Sequence, residues 1–353
     1  LQRYRVGILG ATGLVGQRLI EGLSNHDWFE IAGLAASERS AGKTYGEACG
    51  WVLGSAMPDP VSRMTVTRCD PAALDGCDLV FSALDRPVAA EVEPEFARAG
   101  FAVVSNASAF RQAPDVPLVV PEVNADHLAM VEHQGHGGGF IVTNPNCSAT
   151  GLVLALAPLH RAFGIRRLFV STMQAVSGAG TAGPSALQMV DNVIPFIPGE
   201  EEKLEEELSK LLGDRDGGTV RKISIPVSAH CHRVPTIDGH LEAVSVELEG
   251  NPSPEDAIES LRAWRGQIEG DGLPSAPAQP VEVRMEPDRP QPRLDRDAGK
   301  GMSAVVGRVR PCPLLGLKFV VLSHNAVRGA AGGTLLNAEL LAARGLLPRR
   351  DGR

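Results

Sequence analysis

Residues 5–16 read Arg5-Val6-Gly7-Ile8-Leu9-Gly10-Ala11-Thr12-Gly13-Leu14-Val15-Gly16. An apolar run ends in a glycine turn, and Gln17-Arg18-Leu19-Ile20-Glu21-Gly22-Leu23 follows with apolar residues at helical spacing. Strand, tight turn and helix in that order open a doubly wound α/β fold. The glycines let backbone N–H groups approach a phosphate, and the helix N-terminus adds the positive end of its dipole. The spacing is G-x-x-G-x-x-G rather than G-x-G-x-x-G. A purely structural turn has the same composition, so the reading leans on the motif's place between strand and helix. Gly10, Thr12, Gly13, Leu14 and Val15 become candidates for holding a dinucleotide.

The next strand, Ile31 to Ala36, runs into Ser37-Glu38-Arg39-Ser40-Ala41-Gly42-Lys43. An acid at this point serves a ribose 2′-hydroxyl, whereas Ser37, Arg39, Ser40 and Lys43 suit a 2′-phosphate. The composition favours NADP, and Glu38 keeps NAD open if it turns inward. Asp78 to Leu84 and Ala102 to Asn106 read as further strands, Val88 to Gly100 as a helix, and Leu118 to Asn124 as extended chain before a short helix from Ala125. Beyond about residue 165 long strands dominate: Arg167 to Val176, Val220 to Val227, Leu241 to Leu248, Val281 to Met285, Ala304 to Val309 and Leu317 to Leu322. Few helices separate them, which predicts a mostly antiparallel α+β unit. Pro254 to Gly266 is a helix capped by Ser253. Ser275 to Pro292 is proline-rich and loops at the surface. The apolar helix from Gly332 to Gly345 is returned to the first unit. The expected fold is a Rossmann-like domain (residues 1–147), a second, α+β domain (148–325) and a C-terminal helix (326–353) packed on the first.

A length of 353 residues suits two domains. A net charge of −8 argues against a general nucleic-acid or anionic-membrane surface. The chain has no apolar run of ~20 residues for a transmembrane helix, and the reading leaves no room for a signal peptide before the first strand. The six cysteines make no C-x-x-C pair, so neither a disulfide framework nor a zinc site is expected, and a cytoplasmic setting follows.

Asn144-Pro145-Asn146-Cys147-Ser148 lies between the apolar run Phe140-Ile141-Val142 and a second one, Leu152 to Ala157. Cys147 therefore sits at a strand-to-helix junction with Asn and Ser as cap residues. Unpaired N–H groups there favour a thiolate, so a thiol pKa below ~8.5 is expected, and they can hold an oxyanion. A buried cysteine acting as a small hydrophobe is the alternative. Ser177-Gly178-Ala179-Gly180 is a glycine loop suited to a cofactor or simply a turn. The helix from Gly199 to Leu208 opens with Glu200, Glu201 and Glu202, as a solvated face also would. His230, His232 and His240 offer a general base more readily than a zinc site, because strand alternation separates Cys231 from its two neighbours. Asp238-Gly239 is a turn pair, so His240 opens a strand.

Together these blocks resemble the aspartate-β-semialdehyde dehydrogenase family, in particular its archaeal and fungal branch. The glycine turn, the 36–43 loop, Ser105 to Arg111, Asn144 to Ser148, Met173 to Gly180, Asp191 to Pro195, Gly199 to Lys203, His230 to His240 and Asn325 to Gly332 run in family order through the chain. The resemblance implies Cys147 as nucleophile, Gln174 as the residue orienting the intermediate, and His240 as acid/base. It implies Arg233 on the substrate carboxylate, Glu200 and Lys203 near the substrate amino group and phosphate, and Arg111 and Asn146 at the phosphate. Glu201 competes with Glu200 by one position. Ser177, Gly178 and Asn325 are implied as cofactor contacts, with NADP as cofactor, inorganic phosphate as co-substrate and a homodimer or homotetramer as assembly. The implied reaction reduces aspartyl phosphate to the semialdehyde for lysine, threonine and methionine synthesis. Malonyl-CoA reductase shares the nucleophile and cofactor site but has no substrate amino group to hold. A catalytically silent NADP-binding sensor would keep the glycine turn without needing thiol, base and anion clamp, all of which are present.

Overall fold

The computed structural model describes residues 3–348, so residues 1–2 and 349–353 of the outer segments lie outside the described residues. Strand β1 (Tyr4–Leu9) and helix α1 (Leu14–Leu23) flank the glycine turn. Gly10 has φ +75°, and a Cβ there would lie 2.6 Å from the Ala83 carbonyl oxygen. Only glycine allows both this left-handed turn and this approach. The sheet adds β2 (Phe29–Ala36), β3 (Val66–Arg68), β4 (Leu79–Ser82), β5 (Ala102–Ser105) and β6 (Phe140–Thr143). Its order is β3-β2-β1-β4-β5-β6, parallel throughout. The order reverses between β1 and β4, and in such sheets ligands bind at the strand ends beside that point. Strand β3 escaped the sequence reading because Val-Thr-Arg carries no apolar run.

The longer helices after α1 are α2 (Arg86–Arg98), α3 (Cys147–Phe163), α4 (Glu200–Leu211), α5 (Pro254–Ala263) and α6 (Gly332–Ala343). Phe96 of α2 and Phe101 pack on one face of the first sheet with Val80, Val103 and Ile141. On the other face Leu335, Leu336 and Leu340 of α6 join Val6, Ile8 and Leu19. This is a Rossmann-like unit with the C-terminal helix docked on it.

The second sheet comprises β7 (Ile165–Gln174), β10 (Val227–Arg233), β11 (His240–Leu248), β12 (Val281–Arg284), β13 (Ala304–Cys312) and β14 (Gly316–Ser323), after a small hairpin of β8 (Asp214–Asp216) and β9 (Thr219–Arg221). Its order is β10-β7-β11-β14-β13-β12. The centre is antiparallel, but β10 pairs with β7 and β12 with β13 in parallel, so the sheet is mixed rather than mostly antiparallel. The single strand expected over Val220 to Val227 is two strands in two sheets. Pro226, between them, has no N–H for a ladder. Likewise Pro121–Asn124 is a helical turn with proline at its start, and only Leu118 of that stretch bridges to Thr143. Ser275 is anchored to Glu339 through its N–H and hydroxyl rather than free at the surface.

Helix α3 is packed on the second sheet and on α4 and α5. Residues Leu152 to Ala157 are each at most 1% exposed. A helix apolar on all sides is stable only when covered on all sides, and each buried Leu or Val there contributes roughly 1.5–3 kcal/mol. That burial holds the start of α3 at the seam between the two sheets. No described helix is long and apolar enough to cross a membrane.

Candidate active site

Strand β6 ends at Thr143, and Asn146 caps α3: its side-chain oxygen accepts from the N–H groups of Ser148 (2.9 Å) and Ala149 (3.3 Å). Cys147, the first helical residue, is half-buried, with Sγ 3.2 Å from His240 Nε2. His240 opens β11 and is fully buried. The Ala175 N–H donates to its Nδ1 at 3.1 Å. With Nδ1 accepting, the proton of the neutral ring belongs on Nε2, which faces the sulfur. Asn325 braces the turn before His240. Its Oδ1 accepts from the Gly239 N–H and its Nδ2 donates to Ser177 Oγ, both at 2.8 Å.

The expected low thiol pKa does not hold. Burial, then the Glu200 carboxylate, push Cys147 up to about 12, against the pull of Arg111, Arg233 and the Ser148 N–H. Burial, then Arg233, push His240 down to about 3. At neutral pH the pair is thiol and neutral imidazole. Loss of water around the sulfur outweighs the helix terminus and the two guanidinium groups.

Helix α4 supplies the charged wall. Glu200 Oε1 accepts from Lys203 Nζ at 2.9 Å, and Oε2 from Asn146 Nδ2 at 2.9 Å and, more loosely, Gln174 Nε2 at 3.4 Å. Burial acts to raise the Glu200 pKa, but Lys203 and these donors hold it below the usual carboxylate value. Glu201 turns instead to the edge of the second sheet. Its Oε1 accepts from the Cys231 N–H at 2.9 Å, and Glu205 one turn on accepts from the Ala229 N–H at 3.1 Å. The two carboxylates cover the free side of β10, an edge strand whose N–H groups would otherwise be unpaired. Arg111 donates to Glu207 Oε1 at 3.1 Å and to the Asn106 carbonyl at 2.9 Å. Arg233 donates to the Ala175 carbonyl at 2.8 Å. Sequence reading passed over Glu207 and Lys210, although their spacing of seven and ten from Glu200 puts all three on one helix face.

A cleft of about 350 Å³ runs between the two sheets, lined by Cys147, Asn146, Glu200, Lys203, Arg111 and the glycine loop, and by Leu14, Val15 and Asn325. Gln174, Arg233 and His240 stand behind its wall in the second sheet, 1%, 6% and 0% exposed. The turn Gly10 to Gly13 leads into α1, whose N-cap Gly13 offers no side-chain cap, so no side chain occupies its first N–H groups. Ser37, Arg39 and Lys43 are exposed at the C-terminal end of β2, outside this cleft's wall, while Ser40 turns inward and is buried. Glu38 points outward, 82% exposed and 3.8 Å from Arg68. His230 and His232 lie on the opposite face of β10 from Cys231. Among the described residues no three His, Cys, Asp or Glu side chains gather as metal ligands.

Residues 5–131 match the family profile described as semialdehyde dehydrogenase, NAD binding domain, and residues 156–328 match the one described as semialdehyde dehydrogenase, dimerisation domain. The chain is 54% identical over 345 residues to the aspartate-semialdehyde dehydrogenase of Archaeoglobus fulgidus, covering 96% of this chain and 98% of that one. It is 52% identical over 341 residues to that of Methanothermobacter thermautotrophicus, covering 95% and 98%. The crystal structure of aspartate semialdehyde dehydrogenase with NADP from Candida albicans has a TM-score of 0.91 at 45% identity, covering 97% of this chain and 99% of that one. With likeness of this degree along nearly its whole length, and a thiol–imidazole pair at the seam of its two sheets, the chain belongs to the aspartate-semialdehyde dehydrogenase family.

Proposed function

We propose that this chain is an NADP-dependent aspartate-semialdehyde dehydrogenase of the archaeal and fungal branch, converting L-aspartyl 4-phosphate to L-aspartate 4-semialdehyde in lysine, threonine and methionine synthesis. The observation that carries the reading is Cys147 Sγ at 3.2 Å from His240 Nε2 on the floor of a cleft that also presents Glu200, Lys203 and Arg111. The archaeal relatives and the fungal structure support the branch.

The cofactor site fits a phosphorylated dinucleotide. The Gly10–Val15 turn and the open N-terminus of α1 suit a pyrophosphate, Ser177, Gly178 and Asn325 lie further along the cleft, and Arg39 and Lys43 with Ser37 suit a 2′-phosphate. Glu38, turned to solvent, leaves that site free of an inward acid. Ser40, being buried, supports the loop from beneath. Bound NADP supplies a hydride donor and acceptor.

The chain's own residues do the rest. Arg111 and Lys203 hold the phosphate beside the Asn146 cap, Arg233 grips the α-carboxylate with its fork of donors, and Glu200 takes the ammonium. The Cys147 sulfur attacks the acyl carbon, the C–O bond to phosphate breaks, and phosphate departs with the thiol proton, leaving a thioester. As hydride reaches that carbon, His240 Nε2–H donates a hydrogen bond to the negative charge that develops on the oxygen. Gln174, behind the sulfur, orients the thiohemiacetal. Collapse of this oxyanion frees the aldehyde and expels a thiolate, which takes up a proton to restore the thiol. Glu200, ionised and facing the cleft, favours this reading over malonyl-CoA reduction, whose substrate has no ammonium group. The same reading assigns residues 1–147 to cofactor binding, 148–325 to catalysis and subunit contact and 326–353 to a C-terminal segment, of which helix α6 docks on the first unit. It places the enzyme in the cytoplasm as a homodimer or homotetramer.

The test is reduction of NADP⁺ with aspartate semialdehyde, with and without inorganic phosphate, in wild type and Cys147→Ser. Phosphate-dependent turnover lost in the variant is expected. Oxidation of NADPH by malonyl-CoA with no turnover of the semialdehyde refutes the substrate assignment, and silence with both refutes the enzyme reading.

A further inference from the structure

Three residues past Glu207 on α4, Lys210 is 1% exposed. Its Nζ donates to the carbonyls of Arg111 (2.8 Å), Ala113 (2.7 Å) and Val116 (2.7 Å). An ammonium has three donors, and all three are spent on one loop, residues 106–116, which leaves β5 and carries Arg111 to the cleft. Among the described residues no carboxylate lies within ion-pair distance of Nζ. Three carbonyl dipoles converge on the charge as they would on a bound cation. Burial, then Lys222, lower its pKa to about 8, with Asp115 and Glu207 acting the other way, so it is charged at neutral pH.

Glu207, 2% exposed on the same face of α4, joins the other side of this arrangement. One oxygen accepts from Arg111 Nη1 at 3.1 Å and the other from the backbone N–H of Asn146, the residue before the nucleophile. The loop bearing the anion-binding arginine and the head of α3 are thus fastened to one helix, which also carries Glu200 and Lys203.

We propose that Lys210 is a tethered structural cation which, with Glu207, positions the Arg111 loop against Cys147 and thereby sets phosphate affinity. Both are positioning residues, since neither lines the cleft. The inference rests on the reading of Arg111 as a phosphate ligand. Without the ammonium three carbonyls lose their donor and the loop is free to relax, whereas the thiol, imidazole and cofactor turn keep their own supports.

The experiment measures KM for inorganic phosphate, KM for aspartate semialdehyde and kcat in the oxidative direction for wild type, Lys210→Ala, Lys210→Met and Glu207→Gln, with NADP⁺ binding as a check of folding. Both lysine variants and Glu207→Gln are expected to raise the phosphate KM on the order of tenfold or more, given the three buried hydrogen bonds or the ion pair lost. The semialdehyde KM and NADP⁺ affinity are expected to change little. Methylammonium chloride is expected to restore phosphate affinity in Lys210→Ala, where it can enter the vacated space, and not in Lys210→Met. An unchanged phosphate KM in a folded Lys210 variant overturns the inference, as does a loss of kcat at constant phosphate KM. If the lysine variants do not fold, Glu207→Gln decides by the same selective rise or its absence. Phosphate-independent turnover in the wild type instead removes the reaction assigned above, so the two failures are told apart.

Discussion

Gly178→Ala adds one methyl group and removes no reacting atom, yet it should impair catalysis. Gly178 lies in the 3₁₀ segment Val176–Ala182 after β7, and its φ is not in the left-handed region, so alanine fits the backbone. A Cβ there would stand 2.9 Å from Arg233 Nη1 and 3.1 and 3.2 Å from His240 Cε1 and Nε2, where ordinary contact begins at 3.4 Å. Neither neighbour yields freely. Arg233 Nη1 is bonded to the Ala175 carbonyl at 2.8 Å, and His240 is held between the Ala175 N–H at 3.1 Å and Cys147 Sγ at 3.2 Å. The guanidinium must therefore retreat about 0.5 Å, and the imidazole by less. A displacement of ~1 Å at a reacting centre can cost ~10²-fold in rate, so a loss of about tenfold in kcat/KM, or ~1.4 kcal/mol, is expected. Steady-state NADP⁺ reduction with aspartate semialdehyde and phosphate reads the loss, and NADP⁺ titration checks that the cofactor still binds. Wild-type kcat/KM in the folded variant refutes the packing argument. A loss confined to NADP⁺ affinity places the effect in the cofactor cleft instead.

The raised Cys147 pKa predicts that iodoacetamide alkylates this thiol slowly in the absence of substrate, with a rate rising about tenfold per pH unit through pH 9; a plateau near pH 7 contradicts it. Glu242 is buried with neither carboxyl oxygen hydrogen-bonded, and burial lifts its pKa well above the usual value. A folded-state pKa above the unfolded one contributes stability at low pH that is lost as pH rises above the unfolded value. The melting temperature of Glu242→Gln relative to wild type should therefore climb between pH 4.5 and 8, and a flat difference counts against a neutral Glu242. Arg328 and Glu122 form a two-pronged ion pair with both partners at most 1% exposed. Glu122→Gln leaves a buried guanidinium without its counter-charge and should destabilise by ~3–5 kcal/mol, read as a lower denaturation midpoint; an unchanged midpoint means that water or another group replaces the carboxylate. Glu201→Gln should leave kcat/KM within about twofold, because this side chain covers the β10 edge, whereas a large loss returns it to the site.

Much of the architecture is local in origin and was open to sequence reading. The glycine turn, the apolar strands, the Asn146 cap and the all-apolar run of α3 are written in neighbours a few residues apart, and the structure reproduces each. Three elements were not readable in this way. Strand β3 is too short to show a period, and Pro226 splits what looked like one strand. The parallel edges of the second sheet are set by which strands meet, not by their own residues.

By itself, then, the sequence determined the two-unit plan, the strand-to-helix junction that carries Cys147, and the family. Tertiary structure decided the state and partners of the charged groups. Glu200 and Glu201 are adjacent and chemically identical, and only the packing of α4 against the head of α3 and the edge of β10 turns one to the cleft and the other to a backbone N–H. Local sequence argued for a thiolate at a helix start, yet the thiol is neutral because groups from distant segments exclude water around it. Lys210 has no neighbour in sequence that would mark it as buried; a loop about a hundred positions earlier folds its carbonyls around it. Hydrogen-bond periodicity is a property of neighbouring residues, whereas desolvation and charge pairing depend on whatever the rest of the chain brings within a few ångströms.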